Sequence, residues 1–161
     1  MISQFEKMRP RINHFDYKKY KYYIYIYLNP FKPVQLKYKL PGEYVEFAYE
    51  PIYVGKATNA GFRHNQHIAE YLKTGLEKEG VRTIHNEVKK LAFKKLENDM
   101  RIHGSSNVNF PRTWEEYQKQ WIMIHKVFDN GFDLARYEAR LIKTIGTVRK
   151  QTGPLVNALL G

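Results

Sequence analysis

The chain has 161 residues, no cysteine and a formal net charge of +11 at pH 7. Its length suits one domain with a core of its own, and the lack of cysteine excludes disulfides, thiolate metal sites and cysteine nucleophiles. The excess of 27 Lys and Arg over 16 Asp and Glu points to an anionic partner. No charged-then-apolar leader opens the chain and no apolar run nears the ~18 residues of a membrane span, so an intracellular setting without membrane is expected.

Residues 1–21 mix charge and aromatics without period and read as a basic arm. Tyr22 to Leu28, YYIYIYL, has the aromatic and β-branched content of a strand. Alternation puts Tyr23, Tyr25 and Tyr27 on one face and Ile24, Ile26 and Leu28 on the other. The aliphatic face is expected on the core and the tyrosine hydroxyls near something polar, with Asn29-Pro30 ending the strand.

Gln35–Leu40 and Tyr44–Tyr49 alternate apolar with charged residues around Pro41-Gly42, which suits a type II turn. This 29–50 hairpin reads as an insertion packed on the body. Pro51 to His67, PIYVGKATNAGFRHNQH, then reads as a short strand over Ile52–Val54, a glycine turn at Gly55 and a helix from about Asn59. On such a helix Arg63 and His67 share a face. The run lacks the spacing of a P-loop, which excludes that mode of nucleotide binding.

A second helix is expected from about Val81 to Asn98, with Ile84, Val88, Leu91 and Leu96 inward. Its outer Lys89, Lys90, Lys94 and Lys95 form either a solvated face or a track for phosphates. GSSNVN, 104–109, has the composition of a mobile loop, and residues from about 94 to 119 read as a basic, loop-bearing insertion. Thr113 with Glu116 has the pattern of a capping box. Trp121–Phe128 suits a strand, Asn130-Gly131 a turn, and Asp133 the cap of a helix to about Ile145, closed by Gly146.

On that last helix the apolar stripe is Leu134, Leu141, Ile142 and Ile145, and Glu138 lies within it. A carboxylate on a core-facing stripe needs a cation, a metal or several hydrogen bonds. An arginine at the core edge satisfies that need as well as a divalent ion does. Mg²⁺ is a suitable ion, because it commonly takes one or two carboxylates and completes its shell with waters and phosphates.

In order, these elements resemble the GIY-YIG nuclease superfamily over most of the span Tyr22 to Asn157. Tyr23-Ile24-Tyr25 stands at the first signature tripeptide, with tyrosine in place of its glycine. Tyr53-Val54-Gly55 stands at the second, followed by Lys56. Arg63 falls at the family arginine, His67 one helical turn later, EARLIKTIG at the glutamate helix and GPLVN at the segment bearing the family asparagine, Asn157. The sequence departs from the family in the separation of Tyr25 and Tyr53, which are 28 positions apart, and in the wide gap from Arg63 to Glu138.

The resemblance implies an α+β fold, a small mixed or antiparallel sheet flanked by helices with the hairpin inserted. The activity it implies is metal-dependent endonuclease cleavage of DNA, double-stranded by preference, by a stand-alone enzyme of phage or mobile-element type. Glu138 would hold one Mg²⁺ or Mn²⁺. Arg63 would stabilise charge on the phosphorus, and Tyr25, helped by Lys56, would take a proton from the attacking water. Tyr53 and His67 would orient water and phosphate, with His67 a second candidate for the base, and Asn157 would hydrogen-bond within the site. One site per chain makes a homodimer one route to double-strand cleavage. A non-catalytic nucleic-acid-binding module on the same fold and an RNA-directed nuclease are the alternatives.

Overall fold

The computed structural model describes residues 21–57 and 84–157, the side chains at 84–87 and 118 excepted. The basic arm, apart from Lys21, and the helix expected to carry Arg63 and His67 lie outside the described residues, as does the start of the next helix, at 81–83. The described chain is α+β, a three-stranded antiparallel sheet with helices. The strands are β1 (Tyr22–Leu40), β2 (Glu43–Ala57) and β3 (Ile122–Phe128), in the order β2-β1-β3. The helices are α1 (Ile84–His103), α2 (Trp114–Gln120) and α3 (Gly131–Ile145).

β1 is the central strand, and this changes the fate of its tyrosines. Both of its faces are covered: Tyr23, Ile24, Tyr25, Ile26, Tyr27 and Leu28 are all buried. On the tyrosine face, Phe93 of α1 stacks on Tyr27 with ring centroids 5.8 Å apart, and Tyr117 of α2 tilts against the same ring at 6.0 Å. The Tyr117 hydroxyl donates to the Leu28 carbonyl at 2.7 Å, which satisfies a polar group inside that layer. The expectation of a polar environment along the tyrosine face is thus replaced by an aromatic second core.

The other face is covered by α3. Its Tyr137 packs on Phe128 at 5.2 Å and under the Lys126 ammonium at 4.7 Å, and those two residues register with Tyr22 and Ile24. Leu134, Leu141, Ile142 and Ile145 are buried, as the helical period demands. The cap differs in detail. Asn130, not Asp133, is the N-cap: its side chain accepts from the Asp133 N–H at 2.8 Å and donates to the Asp133 carboxylate at 3.0 Å. Gly146 closes the helix at φ +92, a conformation suited to glycine.

Asn29-Pro30 does not end β1. Strand geometry continues to Leu40 through three irregularities in the β1–β2 register, and the Asn29 side chain accepts from Phe31 N–H at 2.9 Å at the second of these. The hairpin is therefore an extension of the same strand pair. Gly42 sits at φ +78, as a type II turn after Pro41 requires. Leu40, Val45 and Phe47 face inward, and Gln35, Lys37, Lys39, Tyr44 and Glu46 face outward.

One inward assignment on α1 changes. Leu91 is 62% exposed, while Phe93, Leu96 and Met100 are buried. The stretch 104–109 is held by turns and local hydrogen bonds, including Ser106 Oγ to the His103 carbonyl at 2.7 Å, and is followed by Phe110, whose ring lies 4.8 Å from Phe31. Thr113 caps α2 as expected, accepting from Glu116 N–H at 3.2 Å, but the Glu116 carboxylate turns to Arg112 N–H at 2.8 Å.

Candidate functional site

The site residues within the described chain gather around the last turn-length of β2. Gly55 is in the strand, with Tyr25 opposite it across the β1–β2 ladder. It is not a turn residue, and its backbone does not have positive φ. The reason for glycine is spatial: a Cβ built there collides with the Tyr25 ring and its hydroxyl. The Tyr25 ring thus fills the space beside Gly55, and that contact joins β1 to the end of β2.

Register then divides the expected site into two sets. Tyr25 and Gly55 oppose each other, as do Tyr27 and Tyr53, so Tyr25, Gly55 and Tyr53 share one face. Lys56 opposes Ile24 and takes the other face. There its ammonium stands 3.7 Å from Oε1 of Glu138 on α3. The Glu138 side chain is only 14% exposed, whereas that of Lys56 is 42% exposed. One end of the pair therefore meets solvent, and the carboxylate sits in the apolar stripe where the sequence put it.

The tyrosines differ in access. Tyr25 is wholly buried. Tyr53 keeps part of its surface, with its ring edge-on to Tyr27 at 5.8 Å and the Lys89 ammonium 4.4 Å from its centroid. Of the four lysines singled out on α1, Lys89 belongs to this tyrosine layer. Lys94 and Lys95 are exposed and Lys90 is partly so, with Lys95 paired to Asp99 at 3.2 Å.

Asn157 is buried and holds β2 from its open edge. Its side-chain oxygen accepts from Val54 N–H at 2.9 Å and its amide donates to the Val54 carbonyl at 2.7 Å. Val156 N–H adds a bond to the Ile52 carbonyl at 2.7 Å. The residue between Tyr53 and Gly55 is therefore fixed by a side chain about one hundred positions downstream. Its role is to position the strand. Arg63 and His67 lie outside the described residues.

A second polar cluster escaped the sequence reading. His125 is the extra residue of a bulge in β3, since Ile24 and Tyr25 pair with Lys126 and Ile124. Its Nε2 lies 2.7 Å from the Tyr137 hydroxyl. Glu43 at the hairpin tip lies beside Tyr137 and bridges to Lys126 at 3.0 Å. Burial drives the His125 pKa down to about 4, against the partial offset of Glu43. Burial, with Glu43 beside it, holds the Tyr137 phenol above its ordinary range. Only the even spacing of a strand would have been visible in WIMIHKVF; a bulge has no signature there.

Among the described residues there is no group of three or more His, Cys, Asp or Glu side chains able to hold a metal ion. A single carboxylate such as Glu138 does not make a closed protein cage. Its hard oxygen donors do suit a Mg²⁺ ion that retains waters and takes substrate phosphate oxygens. Comparison with family models, with curated proteins and with solved structures gave no match.

Proposed function

We propose that this protein is a metal-dependent DNA endonuclease of GIY-YIG type, with its site centred on Lys56 and Glu138. The observation that carries the reading is the 3.7 Å approach of an ammonium open to solvent and a carboxylate held in an apolar helix stripe. Glu138 would hold Mg²⁺ or Mn²⁺, which when bound supplies a Lewis acid for a phosphoryl oxygen. Lys56 would attract the scissile phosphate and balance its charge. Asn157 keeps the strand bearing Lys56 in place through Val54. Tyr25, wholly buried, and Tyr53, partly exposed, both lie on the other face of the strand pair, so neither is assigned proton transfer at the Lys56–Glu138 pair. Arg63 and His67 keep their proposed roles in charge stabilisation and orientation.

One observation favours the non-catalytic reading. Tyr25 and Tyr53 stand on the face opposite Lys56, as befits a core and not a single reaction centre. A plasmid assay separates the readings. Supercoiled DNA is incubated with the purified protein and Mg²⁺, Mn²⁺ or EDTA, beside Glu138→Ala and Glu138→Gln. The nuclease reading expects metal-dependent nicking that both variants lose while retaining salt-sensitive DNA binding. Binding without nicking in the parent protein, across plasmids of different sequence, would leave the binding module. Preferential cleavage of RNA under the same conditions would redirect the substrate assignment.

A further inference from the structure

The hairpin tip carries an arrangement outside the proposed catalytic site. On the outer face of the strand pair, Tyr44 is 58% exposed. The Lys37 ammonium stands 4.5 Å from its ring centroid and the Lys39 ammonium 6.0 Å. Lys39 is the cross-strand partner of Tyr44, and Lys37 that of Glu46. All these residues are exposed, whereas Leu40, Val45 and Phe47 on the reverse are buried. The tip is also pinned to the body, through Glu43 to Lys126 at 3.0 Å. The result is a braced ribbon with an exposed aromatic ring and two ammonium groups over it.

We infer that this ribbon face binds single-stranded DNA, with an unstacked base lying on Tyr44 and the flanking phosphates on Lys37 and Lys39. The chemistry follows from the parts. An exposed aromatic ring offers a surface to any base, and the stacking is tolerant of sequence. Lysines two residues apart on one strand face are about 7 Å apart, so they can meet different phosphates of an extended strand. Glu46 opposes one of them, which leaves the phosphate contribution small and the stacking dominant. The Lys37 ammonium leaves the ring face for a phosphate as the base takes its place. A base within a duplex is stacked on both sides and gives this plate no face to bind. The inference rests on the DNA-binding part of the proposed function and not on cleavage.

The test is fluorescence anisotropy with labelled dT20 and a labelled 20-base-pair duplex, at two salt concentrations, on the full chain. The variants are Tyr44→Ala, Tyr44→Phe and the double change Lys37→Ala with Lys39→Ala. Tyr44→Ala should weaken dT20 binding about tenfold while Tyr44→Phe stays near the parent. The lysine pair should weaken dT20 binding and flatten its salt dependence. Duplex affinity should change little in all three. Unchanged dT20 binding in Tyr44→Ala overturns the inference, as does an equal loss on duplex, which would make the ribbon a general backbone contact. If the parent chain binds neither DNA, the inference and the DNA-binding reading fall together. If Tyr44→Ala loses dT20 binding while plasmid nicking is absent in the parent, only the cleavage reading falls.

Discussion

Gly55 shows how one missing carbon can join two distant segments. With no side chain in the way, the Tyr25 ring reaches across the strand pair into the space beside Gly55. Gly55→Ala should cost about 1–3 kcal/mol in urea unfolding, because the added methyl overpacks a fully buried site. Adding Tyr25→Ala should recover part of that loss, since the two positions share the same space. Additive losses would mean that the ring is not what excludes a side chain. Asn157 works from the other side of the same strand. Removing it strands the Val54 N–H and C=O at a covered sheet edge, so Asn157→Ala should destabilise by roughly 1–3 kcal/mol. Asn157→Asp, which sets a buried carboxylate oxygen against the Val54 carbonyl, should cost at least as much at pH 7; hydrogen exchange at Val54 would report the loss directly.

At the scale of elements, the long hairpin depends on its tip. β1 and β2 leave the sheet through a series of register shifts, and Glu43 then meets Lys126 and Tyr137, which belong to β3 and α3. Both members of the ion pair are partly solvated, so its own contribution to stability is at most about 1 kcal/mol. Its local effect should be larger than its global one. Glu43→Ala should speed amide exchange within 37–46 with little change in the unfolding midpoint. An equal rise in exchange throughout the sheet would mean that the tip and the body unfold as one unit. α3 depends less on contacts of this kind, because four buried aliphatic side chains and an Asn130–Asp133 cap hold it.

For the whole molecule, the clearest pH response comes from His125. Its folded pKa is depressed to about 4 from an ordinary 6.5 by burial, while Tyr137, Glu43 and Lys126 surround it. The unfolded chain therefore binds a proton that the folded one refuses. This contribution is fully present above pH 6.5 and is lost as pH falls toward 4, by roughly 3 kcal/mol in total. Urea unfolding at pH 7, 5.5 and 4.5 should show the parent losing more stability than His125→Gln, whose side chain does not titrate. Parallel losses would place the acid sensitivity among the carboxylates.

The local pattern determined much of this molecule. The strand at Tyr22, the Pro41-Gly42 turn, the Thr113 cap and the apolar stripe enclosing Glu138 all follow from chemistry within a few residues of each position. The tertiary structure decided what those elements face. A period of two assigns tyrosines to one side of β1 but does not reveal that α1 and α2 cover that side, so their burial could not be read. The same limit applies to Gly55, whose requirement is set by a ring 30 residues away in sequence. It applies again to Lys56, placed next to Gly55 in the chain yet turned to the opposite face by the pleat. Adjacency, period and cap are properties of a short stretch of chain, whereas burial, face and partner exist only once the strands have paired.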